Sequence, residues 1–261
     1  MKSKGDVLRV VNLGLKVDGK TILQNVNLYI KEGETYALFG PNGSGKSSLL
    51  SAIIGNPTYQ ISSGRIVFKG REINSLPTDE RIKLGMGIAF QTPPRISGVK
   101  LIDVLRFCAK VGGRGEEDIH EFAKKLKMED FLERPVNQGF SGGELKRSEL
   151  LQLLLLNREF VMLDEPDSGV DLENISLIGE TIREILERDV SAEERKKSGI
   201  IITHTGNILD YVDADYGVIL YKGRIACVGN PEDILNEISQ NGYEGCISKC
   251  LREFPNLNSL K

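Results

Sequence analysis

Apolar and polar positions change their period along the chain, and each change marks a new kind of element. Over residues 8–30 the period is two: Ile22, Leu23, Val26, Leu28 and Ile30 stand among polar neighbours. This predicts two β segments, Leu8–Val17 and Thr21–Ile30, turned at Asp18-Gly19-Lys20. Glu34–Phe39 reads as a short strand, Gly40–Gly45 as a glycine-rich loop and Ser47–Gly55 as a helix, with further strands at Gly64–Gly70 and Gly85–Phe90. From about residue 92 to 157 the period becomes helical, at Leu101–Val111, Asp118–Lys127 and Glu144–Leu156. Two apolar strands follow, Phe160–Leu163 and Gly199–Thr203, with a helix at Leu172–Arg188 and a charged loop at Ser191–Ser198 between them. A hairpin (Tyr216–Leu220, Gly223–Val228, turning at Tyr221-Lys222), a helix at Pro231–Gln240 and a tail from about 244 to 261 complete the chain. Strand-helix-strand units with wholly apolar strands predict an α/β fold: a mostly parallel sheet covered by helices, with a β-rich start and a helical insertion.

Composition narrows the class. The 261 residues are 40% hydrophobic and 27% charged, which excludes disordered and collagen-like chains. With 34 basic and 37 acidic side chains the net charge is −3, so no general basic field is available for nucleic acid. No run reaches the roughly 18 apolar residues of a membrane span; the richest, Leu150–Leu156, is interrupted by Gln152. Met1–Asp6 has no apolar signal region, so the expected location is cytoplasmic, without direct membrane insertion. Cys108, Cys227, Cys246 and Cys250 do not make a disulfide framework. Cys246 and Cys250, four apart, share a face if the tail is helical; they read as reduced thiols packing it, since two thiolates alone make a weak metal site.

The loop Gly40-Pro41-Asn42-Gly43-Ser44-Gly45-Lys46-Ser47 fits G-x-x-x-x-G-K-[ST] and lies between a strand and a helix, the setting that motif requires. Its glycines let backbone N–H groups converge on phosphate oxygens, and the helix adds its positive N-terminal end. Lys46 would meet the outer phosphates, Ser47 would ligate Mg²⁺, and Ser48 could reach another phosphate. Phe160-Val161-Met162-Leu163 is an apolar strand ending in Asp164 and Glu165. The first suits the Mg²⁺ shell through water; the second, on the opposite side of the strand, can act on the attacking water.

These residues, taken with four more motifs in order, resemble the ATP-binding cassette ATPases. Gln91 after Gly87–Phe90 resembles their Q-loop, Phe140-Ser141-Gly142-Gly143-Glu144 their signature, Asp167-Ser168-Gly169-Val170-Asp171 their D-loop, and His204 after Ile200–Thr203 their switch histidine. Locally the signature is an S-x-x-E capping box at a helix start. The resemblance implies a RecA-like α/β core, an antiparallel β subdomain and a helical subdomain at about 92–157 within one cassette of residues 1–261. It also implies hydrolysis of ATP with Mg²⁺ held by Ser47, Gln91 and Asp164, and Glu165 and His204 acting on the water. In the family Ser141, Gly142 and Gly143 contact ATP held by a second protomer, which implies a transient ATP-dependent homodimer.

The phrases around the motifs, among them Ala89-Phe90-Gln91-Thr92-Pro93-Pro94, Asn137-Gln138-Gly139 and Gln240-Asn241-Gly242-Tyr243, resemble the SufC ATPases of the Suf iron–sulfur cluster assembly system. That implies a SufB-like scaffold as partner, with or without a SufD-like subunit, and clusters carried by the scaffold. It also suggests that Lys146 pairs with Glu165 in the resting monomer, against the plainer reading of a lysine on a solvated helix face. The run 101–156 would dock the partner, with Phe107 and Phe122 as contacts, or would be plain core. Val17 stands where the family commonly stacks an aromatic ring on adenine, so base stacking is expected to be weaker. His120 reads as a solvated surface residue. The alternative functions are the ATP-binding subunit of a membrane ABC transporter and an assembly clamp with negligible turnover. A chromosome or DNA-repair ATPase is disfavoured, because only residues 48–140 separate the phosphate loop from the signature and they hold no cysteine cluster.

Overall fold

A computed structural model describes residues 4–253. The first two strands, β1 (Asp6–Val17) and β2 (Lys20–Lys31), form a hairpin whose turn places Asp18 at φ 48° and Gly19 at φ 76°. Both central residues are left-handed, the geometry that Asp-Gly favours because it matches strand twist. β3 (Thr35–Phe39) leads into α1 (Lys46–Ile54), followed by β4 (Gln60–Phe68), β5 (Arg71–Glu72), α2 (Thr78–Lys83) and β6 (Met86–Ala89). Next come the helices α3 (Leu101–Gly112), α4 (Glu116–Lys125) and α5 (Gly142–Leu156). The chain returns through β7 (Phe160–Asp164), α6 (Leu172–Ile185), β8 (Ser198–Ile202), β9 (Tyr216–Tyr221), β10 (Arg224–Gly229) and α7 (Pro231–Glu253).

Two sheets result. An antiparallel sheet has the order β2-β1-β4-β5; a second has the order β10-β9-β3-β8-β7-β6, parallel except for the β9–β10 hairpin. The second sheet is covered on both faces, which is why its strands read as unbroken apolar runs. In β7, Phe160 and Met162 pack with α1 and the antiparallel sheet, whereas Val161 and Leu163 pack with α5 and α6. Phe68 meets Phe160 edge-on at 5.9 Å, joining the two sheets.

α2 and β5 carry too little periodicity to be predicted from the sequence, yet α2 supplies a structural anchor. Arg81 is 2% exposed and has no carboxylate partner among the described residues. Its guanidinium donates to the carbonyls of Leu76, Ala52 and Ile53 at 2.8 Å and of Asn74 at 3.1 Å. Two of those carbonyls end α1, where the helix dipole favours a cation. Burial lowers the pKa of Arg81 to about 10, which still leaves it charged. Gly55 caps α1 at φ 86°, and a Cβ there would stand 2.7 Å from Arg81 Nε. Arg81→Met should therefore cost about 3 kcal/mol, because it strands buried carbonyls. A urea melt checks this as a lower midpoint at unchanged slope.

The C-terminal region differs from expectation. The predicted helix at Pro231–Gln240 continues to Glu253 through a break at Gly242 (φ 69°, ψ 178°). Cys250 is not a reduced thiol: it is bonded to Cys227 on β10, with 6.0 Å between the Cα atoms. Cys246, the other half of the predicted pair, is buried against the Ile234 carbonyl, and burial pushes its thiol pKa up. The part of the tail at 254–261 lies outside the described residues. The β9–β10 turn also moves by one residue, to Lys222-Gly223 (φ 48° and 75°).

Candidate functional site

The phosphate loop runs from the end of β3 to the start of α1. Gly40 has φ 154°, and a Cβ there would stand 2.2 Å from the Leu220 carbonyl oxygen. Gly45 caps α1 at φ 105°, with Leu23 2.6 Å from where its Cβ would be. Only glycine suits these two positions. Asn42 and Gly43 are exposed at the tip, whereas Ser44, Gly45 and Lys46 are buried. Lys46 Nζ donates to the carbonyls of Gly40 (2.8 Å) and Pro41 (3.3 Å). Burial lowers its pKa, opposed by the nearby carboxylates of Glu165 and Asp164. The first turn of α1 holds no acidic residue, so its positive end is free to face an anion.

Asp164 ends β7 beside Ser47. Burial raises the Asp164 pKa; a hydrogen bond from the Ser47 side chain opposes that rise. Asp164 Oδ1 and Ser44 Oγ are both buried without a hydrogen-bond partner among the described residues. A buried carboxylate with an unused lone pair, next to a hydroxyl and a phosphate loop, fits Mg²⁺ held largely by nucleotide phosphates and water. The described residues hold no cluster of three or more His, Cys, Asp or Glu able to bind a metal. Gln91, the third predicted ligand, has its side chain turned to Glu165.

Glu165 lies one residue beyond β7 in the left-handed region, φ 51°, and is 8% exposed. That conformation is uncommon for a side chain of this size and clusters at functional sites. Its carboxylate is held at both oxygens: Gln91 Nε2 donates to Oε2 and His204 Nε2 hydrogen-bonds Oε1, each at 2.7 Å. Residues far apart in sequence thus converge on one carboxylate at the end of the parallel strands, where open α/β sheets bind ligands.

Three features escaped the sequence reading. Asp167 Oδ2 accepts from Thr203 Oγ1 and Thr205 Oγ1, both at 2.8 Å, so hydroxyls on either side of His204 bind the D-loop segment. Lys146 forms no ion pair with Glu165 among the described residues; its Nζ donates to the Phe90 and Gln91 carbonyls at 3.1 and 3.0 Å. It is also 5% exposed, so it does not lie on a solvated face. Glu149, on the same helix, accepts from the Phe90 N–H at 2.8 Å. Burial pushes its pKa up to about 7.

Ser141 caps α5 with the expected capping box: Ser141 N–H donates to Glu144 Oε2 at 2.7 Å, and Glu144 N–H to Ser141 Oγ at 3.4 Å. Ser141 and Gly142 are exposed and Gly143 is buried. A Cβ on Gly142 would come within 2.8 Å of the Gly169 carbonyl oxygen, so signature and D-loop segments touch in one chain. Phe107 is 66% exposed, but Phe122 is buried in the core formed by α3, α4 and α5, which corrects its place as a partner contact. Val17 is half-buried at the tip of the β1–β2 hairpin, and His120 is exposed.

The ABC transporter family model matches residues 23–168. The chain is 40% identical to the probable ATP-dependent transporter ycf16 of Cyanophora paradoxa, over 92% of this chain and 95% of that protein. It is 38% identical to a probable ABC transporter ATP-binding protein of Streptococcus pyogenes serotype M3, over 92% and 94% of the two chains. A nucleotide-free ATP-binding cassette from an ABC transporter superposes with a TM-score of 0.74 at 23% identity, covering 92% of this chain and 98% of that one. A bacterial Atm1-family ABC exporter with ATP bound gives a TM-score of 0.75 at 20% identity, covering 95% of this chain and 42% of that one. These two structures speak to the fold, and the sequence matches speak to descent: the chain belongs to the ABC transporter family as an ATP-binding cassette ATPase.

Proposed function

We propose that this ATPase hydrolyses MgATP at Glu165 and uses the cycle to change the conformation of a SufB/SufD-type scaffold in iron–sulfur cluster assembly. The observation that carries the chemistry is the Glu165 carboxylate, fixed between Gln91 and His204 beside Asp164 and Lys46. Backbone N–H groups of residues 40–48 and the Lys46 ammonium bind and orient the phosphates. Mg²⁺, when bound, screens phosphate charge and withdraws electrons from the bond that breaks. Ser47 and Asp164 would hold it, with Gln91 joining once its side chain leaves Glu165. Glu165 orients the attacking water and accepts its proton at a carboxylate oxygen; His204 Nε2–H keeps the other oxygen in place. Ser141, Gly142 and Gly143 of a second copy close over the outer phosphate, so ATP stabilises a dimer by mass action.

The scaffold reading rests on the SufC-like phrases around the motifs. Among the described residues no helix is long and apolar enough to cross a membrane, and we place the chain in the cytoplasm. The second reading, the ATP-binding subunit of a membrane transporter, is favoured by the relatives' names. Native copurification separates the two. A tagged chain at ordinary expression should recover a SufB-like protein from the soluble fraction. Recovery of a multi-span permease, only in detergent, would assign the ATP cycle to transport.

A further inference from the structure

α5 begins at the signature and, within its first two turns, buries three ionisable side chains: Arg147, which donates to the Leu126 and Lys127 carbonyls, and the pair Lys146 and Glu149. Lys146 and Glu149 are three apart, hence on one helix face, and are 5% and 7% exposed. Polar side chains so deeply placed need partners. The pair's hydrogen bonds go to the backbone of a single short segment. Lys146 Nζ donates to the Phe90 carbonyl at 3.1 Å and the Gln91 carbonyl at 3.0 Å, and the Phe90 N–H donates to Glu149 Oε1 at 2.8 Å.

That segment needs them. β6 ends at Ala89, so from Phe90 onward the polar backbone has left the sheet. Two side chains of α5 supply the donor and acceptor that a neighbouring strand would have offered. Gln91 is the next link, because its Nε2 reaches Glu165 Oε2 at 2.7 Å. A continuous path therefore runs from the signature helix through Lys146 and Glu149 to the Phe90–Gln91 backbone, then to the Gln91 side chain and Glu165.

We propose that Lys146 and Glu149 are positioning residues: together they clamp the Phe90–Gln91 backbone to the signature helix. Gln91 then stands against Glu165 or withdraws from it as α5 moves. The clamp acts through Gln91, the residue whose backbone and neighbour it holds. It makes the helix that would meet the second copy's ATP and the segment that restrains Glu165 one mechanical unit. The role rests on the reading of Glu165 given above.

Glu149→Ala removes the acceptor, and Glu149→Gln retains one in the amide oxygen. The expected results on the intact chain are a fall in kcat of about tenfold or more with the KM for ATP within about twofold, because the phosphate loop is untouched. Hydrogen exchange in a peptide spanning residues 86–91 should accelerate, while α1 keeps its protection. Glu149→Gln should restore both, and Lys146→Met should reproduce the split between kcat and KM. If Glu149→Ala does not fold, Lys146→Met and Glu149→Gln carry the test. A wild-type kcat in Glu149→Ala or Lys146→Met overturns the proposal. So does a lost kcat with unchanged exchange at 86–91, or a KM that rises in step with the loss. A Glu165→Gln control that kept full turnover would instead remove the role given to Glu165, while the exchange result would still report on the clamp.

Discussion

Glu165→Gln should reduce turnover by about 10²–10⁴-fold, the usual contribution of a positioned general base, while ATP still binds. The amide keeps the size of the side chain but cannot accept the proton from water. It can still accept from Gln91 Nε2 or from His204 Nε2, the two donors that now hold the carboxylate at 2.7 Å each. The packing around a residue 8% exposed is therefore preserved, and the loss belongs to chemistry more than to folding. Single-turnover hydrolysis measured beside nucleotide binding checks the separation. His204→Ala should lose less, because it leaves the base in place and removes one of its two restraints.

Lys46→Ala should weaken ATP binding by about 10–100-fold, the range for a charge-assisted hydrogen bond of roughly 1.5–3 kcal/mol. The ammonium is buried, with its pKa lowered by desolvation, and lies near Glu165 and Asp164. It also holds the Gly40 and Pro41 carbonyls, so its removal loosens the loop as well as deleting a charge. Lys46→Arg should not rescue binding, because a planar fork does not replace a compact point charge in so tight a loop. Titration calorimetry with ATP reads the effect directly. Thermal unfolding without nucleotide should change less than for Arg81→Met, since Lys46 holds two loop carbonyls where Arg81 holds four.

Local backbone geometry was legible in the residues, and long-range placement was not. The phosphate loop could be read because glycine spacing and the strand-to-helix switch are adjacent in sequence, and Gly40 and Gly45 do adopt positive φ. The Asp18-Gly19 turn and the Ser141–Glu144 capping box belong to the same class. The covered parallel strands were legible because burial on both faces leaves an unbroken apolar run. By contrast, Phe107 and Phe122 have the same residue type and similar periodic settings, yet one is exposed and the other is core. Only the packing of three helices decides between them.

Lys146 shows a subtler limit. Sequence could suggest a carboxylate partner, but its actual partners are backbone carbonyls, which every residue carries and no motif marks. Arg81 is the same case, since its partners too are backbone carbonyls. The Cys227–Cys250 bond depends on α7 continuing past Gly242, and a glycine at that point reads as an end. The meeting of Gln91, Glu165 and His204 could be expected only from the resemblance, since nothing local brings these three together.

In the proposed cycle, ATP is closed between two copies of this chain and opened by Glu165. Light scattering of the Glu165→Gln chain at saturating MgATP reads that closure as a change in mass. Twice the chain mass is expected with ATP, a single chain with ADP, and a single chain with ATP when Ser141→Arg is added. A single-chain mass at full ATP occupancy, or a dimer indifferent to nucleotide and to Ser141→Arg, would contradict that closure.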